Sequence, residues 1–444
     1  MRKHKFTFVD LFAGIGGFHH ALSAEDGDCV LAIENNLECQ NVYRTSFPKT
    51  RLEGDIRSIT RNSDGTDRTH DLVDSIVPDH DVLCAGFPCQ PFSKSGAQLG
   101  IRDKTRGTLF HDVMSIVIAK KPKFVILENV RNLSGKRHID TWNGIIDSLR
   151  SQGYMVSDIP LVLSPHRLSP KDGGAPQIRD RVYILAFRPD RPYDFDNEPL
   201  MSRELSKGWS PDDWRIEDYL DDDCDIENLD EYKLTDKRTA CVEAWQAFVQ
   251  QVEDDHISGQ NTWSDYFYKN PKIPSDTPKW KKQMIQLSVD YYAKNKSSID
   301  PWLKTKWSNG LTIRQFEPSY RKFEWHAVKA QPTRAERDLT KLVFQFRPSG
   351  LRVKPATYLP ALVVATQVPV IGSRMRKITP REAARLQGLP DNIFAKAKTS
   401  DHHAYKQLGN AVNVGVVRTA AKALFEEGQA SWLNETKTQL RRVV

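Results

Sequence analysis

The chain has 444 residues, of which 39% are hydrophobic and 27% charged, and its formal net charge is +7. The length predicts a globular protein of two or three domains. Since no apolar run could span a bilayer, no signal-peptide pattern is present, and the six cysteines form no CxxC pair, we expect a cytoplasmic protein without a disulfide scaffold or a metal site.

Residues 1–187 alternate between strand and helix patterns. The apolar strand candidates are Phe6–Phe12, Cys29–Glu34, Asp81–Gly86, Phe124–Val130 and Val182–Phe187. A stripe of helical spacing precedes the fourth strand and consists of Leu109, Phe110, Val113, Ile116 and Val117. This alternation predicts an α/β fold with a doubly wound, mainly parallel sheet covered by helices on both faces. In such sheets, ligands bind at the carboxyl ends of the strands.

The first strand candidate runs into a glycine-rich turn, Ala13-Gly-Ile-Gly-Gly17, which leads into a helix pattern. Glycines let a ligand approach bare backbone, and the helix start offers unpaired N–H groups. Glu34 follows Gly14 by 20 residues, where a carboxylate can accept hydrogen bonds from both hydroxyls of a ribose. Asp55, at the end of a third strand, is a candidate contact for an adenine amino group. The spacing departs from the dinucleotide motif GxGxxG, so we expect another nucleotide-type ligand; glycines that serve only packing are the alternative.

A cysteine lies directly beyond the next buried strand, in the segment Gly86-Phe-Pro-Cys-Gln-Pro-Phe-Ser93. Prolines fix the backbone on both sides of Cys89, and the carboxyl end of a strand is a suitable position for a nucleophile. The small, polar stretch 93–100 has the composition of a mobile lid. Cys84 lies within the apolar strand, and we expect it to be an inert core residue.

Three charged residues are candidate partners of this nucleophile. Glu128 lies near the exit of its strand, where burial would raise its pKa and suit it to donate a proton near neutral pH. Arg179 and Arg181 are two apart at the opening of the next strand, so we expect both side chains on one face, where they suit a carboxylate, a phosphate or a carbonyl oxygen. A buried Glu–Arg ion pair would use the same residues, and their spacing leaves both interpretations open.

Residues 188–375 lose the alternating rhythm and predict an inserted second domain. Eight of the ten tryptophans lie here, from Trp209 to Trp325. The stretch 194–256 holds 20 acidic and 6 basic residues, a net of −14, whereas 266–354 holds 19 basic and 7 acidic residues, a net of +12. The basic stretch suits nucleic-acid phosphate; a solvated surface whose two halves attract each other is the alternative.

From Arg376 onwards, regular helix signals return. Thr379-Pro-Arg-Glu382 has the pattern of a capping box with proline at the first helical position. Gly388 stands where this helix would end.

Taken in order, seven segments resemble motifs of the DNA (cytosine-5)-methyltransferases of the bacterial restriction-modification type. They are Asp10-Leu-Phe-Ala-Gly-Ile-Gly-Gly-Phe18, Gly86-Phe-Pro-Cys-Gln-Pro-Phe-Ser93, Arg106-Gly-Thr-Leu-Phe110, Glu128-Asn-Val130, Gln177-Ile-Arg-Asp-Arg181, Thr379-Pro-Arg-Glu-Ala-Ala-Arg-Leu-Gln-Gly388 and Tyr405-Lys-Gln-Leu-Gly-Asn-Ala-Val412. The resemblance implies a catalytic and cofactor-binding domain over 1–187, a target-recognition domain over 188–375 and a segment 376–444 that returns to the catalytic domain.

The family implies transfer of a methyl group from S-adenosylmethionine to carbon 5 of a cytosine flipped out of a specific duplex DNA sequence. Cys89 would add as a thiolate to carbon 6, and Glu128 would hold and protonate the ring nitrogen at position 3. Arg179 and Arg181 would hold the base and the neighbouring acidic group. The residues that would line the cofactor pocket are Phe12, Gly14, Ile15, Gly17, Glu34, Asp55, Ile56, Pro88, Leu109, Asn410 and Val412.

The same resemblance implies double-stranded DNA as partner, a cognate restriction endonuclease acting on the same sequence, a monomeric state and no membrane. The basic run 266–354 would face phosphate, and part of Phe346–Val364 would reach the bases. Two positions depart from the family pattern. Asn35 replaces an apolar or aromatic residue beneath the adenine, and Ala361 stands at the place of a threonine in the recognition segment.

Three other functions compete with this hypothesis. An RNA cytosine-5 methyltransferase shares the motifs, but the insert of about 185 residues favours duplex DNA. A DNA-binding protein that has lost catalysis is disfavoured by the intact Cys89, Glu128 and Arg-x-Arg. A cysteine hydrolase needs a histidine partner, and the histidines have no spacing that indicates one.

Overall fold

The computed structural model describes seven stretches of the chain: 5–88, 109–189, 209–252, 261–268, 271–326, 333–362 and 367–426. Cys89, the stretch 93–100 and Arg106 lie outside these described residues. The chain divides into two compact units, one made of Met1–Trp214 and Ala383–Val444 and the other of Arg215–Glu382. The domain limits predicted from the sequence fall after residues 187 and 375 instead.

The strands, in chain order, are β1 (Phe6–Leu11), β2 (Gly27–Ile33), β3 (Leu52–Glu53), β4 (Val82–Gly86), β5 (Phe124–Val130), β6 (Met155–Val156), β7 (Leu161–Leu163), β8 (Gln177–Ile178), β9 (Arg181–Phe187), β10 (Asn261–Trp263), β11 (Lys322–Trp325), β12 (Leu342–Arg347), β13 (Gly350–Pro355), β14 (Leu359–Pro360), β15 (Val370–Ile371) and β16 (Arg376–Lys377). The α-helices are α1 (Gly17–Ser23), α2 (Leu37–Ser46), α3 (Arg57–Thr60), α4 (His70–Ile76), α5 (Leu109–Lys120), α6 (Ile139–Arg150), α7 (Asp236–Gln251), α8 (Lys279–Lys294), α9 (Lys296–Lys304), α10 (Pro380–Leu386), α11 (Ile393–Ala397) and α12 (Asp401–Asn410). A last described helical stretch covers 414–426.

The first unit is built on an eight-stranded sheet with the order β3-β2-β1-β4-β5-β9-β6, and β7 also pairs with β9. The first five strands of this order pair in parallel, whereas β9 runs antiparallel to its neighbours β5, β6 and β7. The chain winds outward from β1 to β2 and β3 on one side and to β4 and β5 on the other. The fold is therefore α/β and doubly wound, and its switch point lies between the carboxyl ends of β1 and β4, where such sheets bind ligands.

Strand alternation explains how the sheet is covered. In β1, Val9 and Leu11 belong to a core shared with Val113 and Ile116 of α5 and with Ile145 of α6. Because successive side chains point to opposite faces, the neighbouring Phe8 and Asp10 are directed to the other face of the sheet, and both are fully buried. The Phe8 ring packs against His19 of α1, with 5.4 Å between the ring centres, so helices cover both faces of the sheet.

The second unit has its own core and a six-stranded sheet with the order β10-β11-β13-β12-β15-β16. Trp245 of α7, Trp302 of α9 and Trp325 of β11 are fully buried in this core. The tryptophan-rich segment thus supplies the aromatic volume of a separate hydrophobic core.

The capping box predicted at the start of α10 is confirmed. The Thr379 N–H donates to a Glu382 carboxylate oxygen at 2.7 Å, and the Glu382 N–H donates to Thr379 Oγ1 at 3.1 Å. Gly388 lies just beyond the helix with φ +71°, a conformation that favours glycine.

Within the described ranges, no helix has the length and apolar character that crossing a bilayer requires.

Candidate active site

The glycine-rich turn directly follows β1 at the switch point. Gly14 has φ +57° and Gly16 has φ +87°, so both adopt the left-handed region. A side chain at Gly16 would meet Phe47 at 2.5 Å, whereas nothing lies within 4 Å of a Cβ built at Gly14. Gly16 therefore serves packing, and the backbone at Gly14 is open to a ligand.

Glu34 follows β2 and is tied to this turn. One carboxylate oxygen accepts the Gly14 N–H at 2.8 Å, and the other accepts the Asn36 N–H at 2.8 Å. The side chain is largely buried, with 9% exposure of the residue. Each oxygen retains a lone pair, so the carboxylate is oriented in advance to accept further hydrogen bonds from paired hydroxyls.

Asp55 and Ile56 follow the short strand β3, which ends at Glu53 rather than at Asp55. Asp55 is exposed and accepts the Arg57 N–H at 2.9 Å, while Ile56 is buried. An exposed carboxylate beside an apolar side chain suits the polar edge and the flat face of a base.

A buried carboxylate on α5, Asp112, anchors the end of this segment. It accepts Thr60 Oγ1 at 2.7 Å, and Arg61 donates to its two oxygens at 2.8 and 2.7 Å. Asp112 is fully buried. Local sequence patterns do not indicate a role for Asp112, because it lies outside the apolar stripe of its helix.

The exit of β4 brings several motif segments together. A Cβ built at Gly86 would lie 3.5 Å from a Glu128 carboxylate oxygen, 3.7 Å from Phe18 and 3.9 Å from Val412. The Asn129 side-chain amide donates to the Phe87 carbonyl at 2.8 Å. The backbone that leads through Pro88 to Cys89 is thereby tied to β5 directly after Glu128.

Glu128 forms an ion pair with Arg181, whose Nε lies 2.9 Å from Glu128 Oε1. Burial raises the pKa of Glu128, and the charges of Arg181 and Arg179 oppose this rise without cancelling it. The pKa change expected from burial is thus confirmed. Glu128 therefore keeps its proton up to a higher pH than an exposed glutamate does.

Arg179 has different partners from those its spacing suggested. The strand begins at Arg181, so Arg179 precedes it, and the prediction that both arginines open this strand is wrong. The fully buried Arg179 guanidinium donates to the carbonyls of Gly409 at 2.9 Å and of Ala411 at 2.5 Å. Burial, with the charge of Arg181, lowers its pKa to about 9. Arg179 thus fixes the backbone on either side of Asn410.

The segment after α12 closes the site from the other end of the chain. A Cβ built at Gly17 would lie 2.6 Å from Val412 Cγ2 and 2.9 Å from the Val412 carbonyl oxygen. Val412 is buried and Asn410 is exposed. Only a glycine at the start of α1 permits this close approach.

The remaining sequence candidates fall at the same end of the sheet or in the core. Phe12, with φ +57°, follows β1, and Leu109 begins α5; both pack against the main core. Cys84 is fully buried, and burial raises the pKa of its thiol, so the prediction of an inert core residue is confirmed. The described residues contain no cluster of three side chains suited to hold a metal ion.

Comparison with known proteins identifies this arrangement. A family model of the C-5 cytosine-specific DNA methylases matches residues 6–426. The chain is 35% identical to the Type II methyltransferase M.AluI of Cellulosimicrobium cellulans, over 93% of this chain and 91% of that protein. It is 27% identical to the Type II methyltransferase M.HhaI of Haemophilus parahaemolyticus, over 93% and 92% of the two chains.

The fold is also found among solved structures. The crystal structure of a mutant DNMT2 of Spodoptera frugiperda has a TM-score of 0.50 and 19% sequence identity, covering 95% of this chain and 100% of that chain. At this identity the similarity concerns the fold.

Proposed function

Because the chain belongs to the C-5 cytosine-specific DNA methylase family, it is an S-adenosylmethionine-dependent DNA (cytosine-5) methyltransferase, and we propose that Cys89, Glu128 and Arg181 are its reacting and base-holding residues. The observation that carries this assignment is the Glu128–Arg181 pair at the exit of β5, beside the strand end that leads into Cys89.

Cys89 supplies the nucleophile. Its thiolate adds to carbon 6 of the cytosine, forming a carbon–sulfur bond and giving carbon 5 the electron density to accept a methyl group. A base then removes the proton from carbon 5, and the bond to sulfur breaks with return of the electron pair to the thiolate. Since a duplex buries both carbons in the base stack, the cytosine is flipped out first.

Glu128 acts on the ring nitrogen at position 3. In its protonated form it donates to this nitrogen and so stabilises the negative charge that forms when the thiolate adds. Its raised pKa supports this role, because the protonated form is then accessible closer to neutral pH. Arg181, on the carboxylate, holds Glu128 in place and offers its remaining donors to the carbonyl oxygen of the base.

The turn after β1 and the segments after β2 and β3 fit the cofactor. Glu34 would accept the ribose hydroxyls, Asp55 and Ile56 would contact the adenine, and the open backbone at Gly14 admits the amino-acid portion. Phe12, Ile15, Gly17, Pro88, Leu109, Asn410 and Val412 complete the proposed pocket. When bound, S-adenosylmethionine supplies the methyl group that carbon 5 accepts.

Arg179 is proposed as a positioning residue of this pocket. Its hydrogen bonds to Gly409 and Ala411 orient the backbone around Asn410, and the charges of Arg181 and Glu128 act on its guanidinium group. It therefore links the cofactor side of the site to the base side.

The second unit is proposed to read the target sequence. Its separate core supports a sheet whose strands β11 and β12 lie within the basic run 266–354, and β13 covers the end of this run. We further propose that the protein is a monomer and acts on bacterial DNA in the cytoplasm. A restriction endonuclease of the same specificity would act beside it. The family supports the action on DNA, and the Type II relatives support the link to a restriction-modification system.

A mass-spectrometric trapping experiment tests the mechanism. The protein, S-adenosylmethionine and duplexes carrying 5-fluorocytosine should form an adduct through Cys89, because fluorine at carbon 5 blocks the final elimination. Cys89→Ser should lose the adduct and methylation while retaining DNA binding. Bisulfite sequencing of treated DNA gives the base and its context. An active Cys89→Ser enzyme, or an adduct at another residue, would contradict the assignment.

A further inference from the structure

The second unit carries an open pocket with a volume of about 510 Å³. It is formed by α7, the turn before β11, β11 itself and the hairpin that joins β12 to β13. We call it the hairpin pocket, defined by its three cations Arg238, Lys322 and Arg347 and by the aromatic side chains Tyr320 and Phe346. All of these residues belong to one compact unit.

The three cations are held by aromatic rings and neutral groups. The Arg238 guanidinium lies 4.9 Å from the centre of the Phe346 ring, and the Lys322 ammonium lies 5.3 Å from that of Trp263. Arg347 donates from Nε to the side-chain oxygen of Gln367 at 3.1 Å. Such partners orient a cation but do not neutralise it.

The acid that lines the pocket does not balance these charges. Glu317 is paired with Lys237, with 3.2 Å between Oε1 and Nζ. Among the residues that the structure describes, none of the pocket cations has a carboxylate oxygen within 4 Å. The pocket therefore holds three cations against the one lining carboxylate of Glu317, and the charge of Glu324 acts on Arg347 from beyond ion-pair distance.

Further positive charge lies beside the pocket. Burial and the charge of Arg352 lower the pKa of Arg347, and the charge of Glu324, which is paired with Arg352, opposes this change. Burial with the charges of Arg352 and Arg347 lowers the pKa of Lys354. Like charges within one small sheet region raise each other's free energy, and an anion bound there would relieve this repulsion.

The hairpin is rigidly placed. Gly350 has φ +134°, and a Cβ at this position would lie 2.6 Å from the Lys322 carbonyl oxygen. Arg347 pairs with Gly350 across the hairpin. This close approach sets the spacing between Lys322 and Arg347 before any ligand arrives, which reduces the entropy lost on binding.

We propose that the hairpin pocket binds a backbone phosphate of the DNA substrate, through Arg238, Lys322 and Arg347. The inference deepens the proposed reading of DNA by the second unit and rests on it. A phosphodiester supplies the charge that the pocket lacks and the oxygens that its guanidinium groups can bind.

The test is the salt dependence of DNA affinity, measured by fluorescence anisotropy with a labelled mixed-sequence duplex. Each phosphate contact contributes a slope of about −0.9 to the plot of log affinity against log salt concentration. Arg347→Gln and Lys322→Gln should each make the slope shallower by up to this amount and weaken binding severalfold at low salt. Arg347→Lys keeps the charge and should retain the slope. If Arg347 had a purely structural role, Arg347→Lys and Arg347→Gln would both disrupt it.

Lys233→Gln is the matched control, since it removes one exposed positive charge of the second unit outside the basic run 266–354. It should leave the slope unchanged. Slopes equal to that of the wild type in both pocket variants, with unchanged thermal melting, would overturn the proposal.

A parallel trapping assay separates this inference from the mechanism. With saturating 5-fluorocytosine DNA at low salt, the pocket variants should still form the Cys89 adduct. If the wild type forms no adduct, the mechanism fails, while the anisotropy slopes still decide on the pocket.

Discussion

The Glu128 carboxyl group is subject to two opposing influences. Burial disfavours its charged form, whereas Arg181 at 2.9 Å favours it, and burial is the larger influence on its pKa. The folded protein therefore binds a proton at Glu128 at pH values where the unfolded chain has released it. This makes the residue a source of instability as well as a proton donor.

Glu128→Gln should separate these two properties. Between the ordinary pKa of 4.5 and the raised value, the folded wild type binds more protons than the unfolded chain, so its stability falls as pH rises. Glutamine does not titrate. As pH rises through this window, the free energy of unfolding of the variant should therefore increase relative to that of the wild type, by at most about 1.4 kcal/mol per pH unit. Denaturant titrations across pH measure this difference.

The same variant should lower the single-turnover rate of methylation by about 100-fold or more, since it cannot transfer a proton. A stability difference that is constant with pH, or that shifts toward the wild type as pH rises, would contradict the raised pKa.

At the scale of elements, α5 connects two parts of the cofactor pocket. Leu109 begins this helix, and Asp112, one turn further, receives hydrogen bonds from Thr60 and Arg61 at the end of the segment that starts with Asp55 and Ile56. We therefore expect α5 to set the position of the residues assigned to the adenine.

Asp112→Asn should raise the KM for S-adenosylmethionine about tenfold, equivalent to about 1.4 kcal/mol, because Arg61 loses its paired carboxylate. The kcat at saturating cofactor should change much less. Initial rates at varied cofactor concentration give both constants.

Asp79→Asn is the control for this variant. Asp79 is exposed and pairs with Lys120 at the other end of α5. Its substitution therefore perturbs the helix without affecting the anchored segment. It should leave both constants unchanged. An equal loss of kcat and kcat/KM in Asp112→Asn would indicate damage to the chemistry rather than to cofactor positioning.

At the scale of the whole molecule, chemistry and target choice are assigned to different compact units. Exchanging Arg215–Glu382 for the matching segment of a related Type II methyltransferase should therefore transfer the relative's target sequence to the hybrid. Bisulfite sequencing of DNA treated with the hybrid measures this. The trapped Cys89 adduct is the control for an intact first unit, and a hybrid that keeps the original target would refute the assignment.

Most of the first unit could be predicted from local patterns. The strand Phe124–Val130 was predicted at its observed bounds, and α5 begins at the predicted Leu109. The doubly wound sheet, predicted from alternating strand and helix patterns, and the family, predicted from seven ordered motifs, are confirmed. The roles of the individual site residues, Cys89 above all, stay predictions.

Local sequence patterns were enough to predict the central strands of the first unit and the glycine-rich turn after β1, because apolar alternation and left-handed backbone are properties of a few consecutive residues. The packing of distant elements is what brings Arg179 to carbonyls some 230 residues away, lets Asp112 anchor the segment after β3, and places three cations in one pocket. Such contacts depend on how distant elements pack, and neighbouring residues in the chain carry no periodic signal of them.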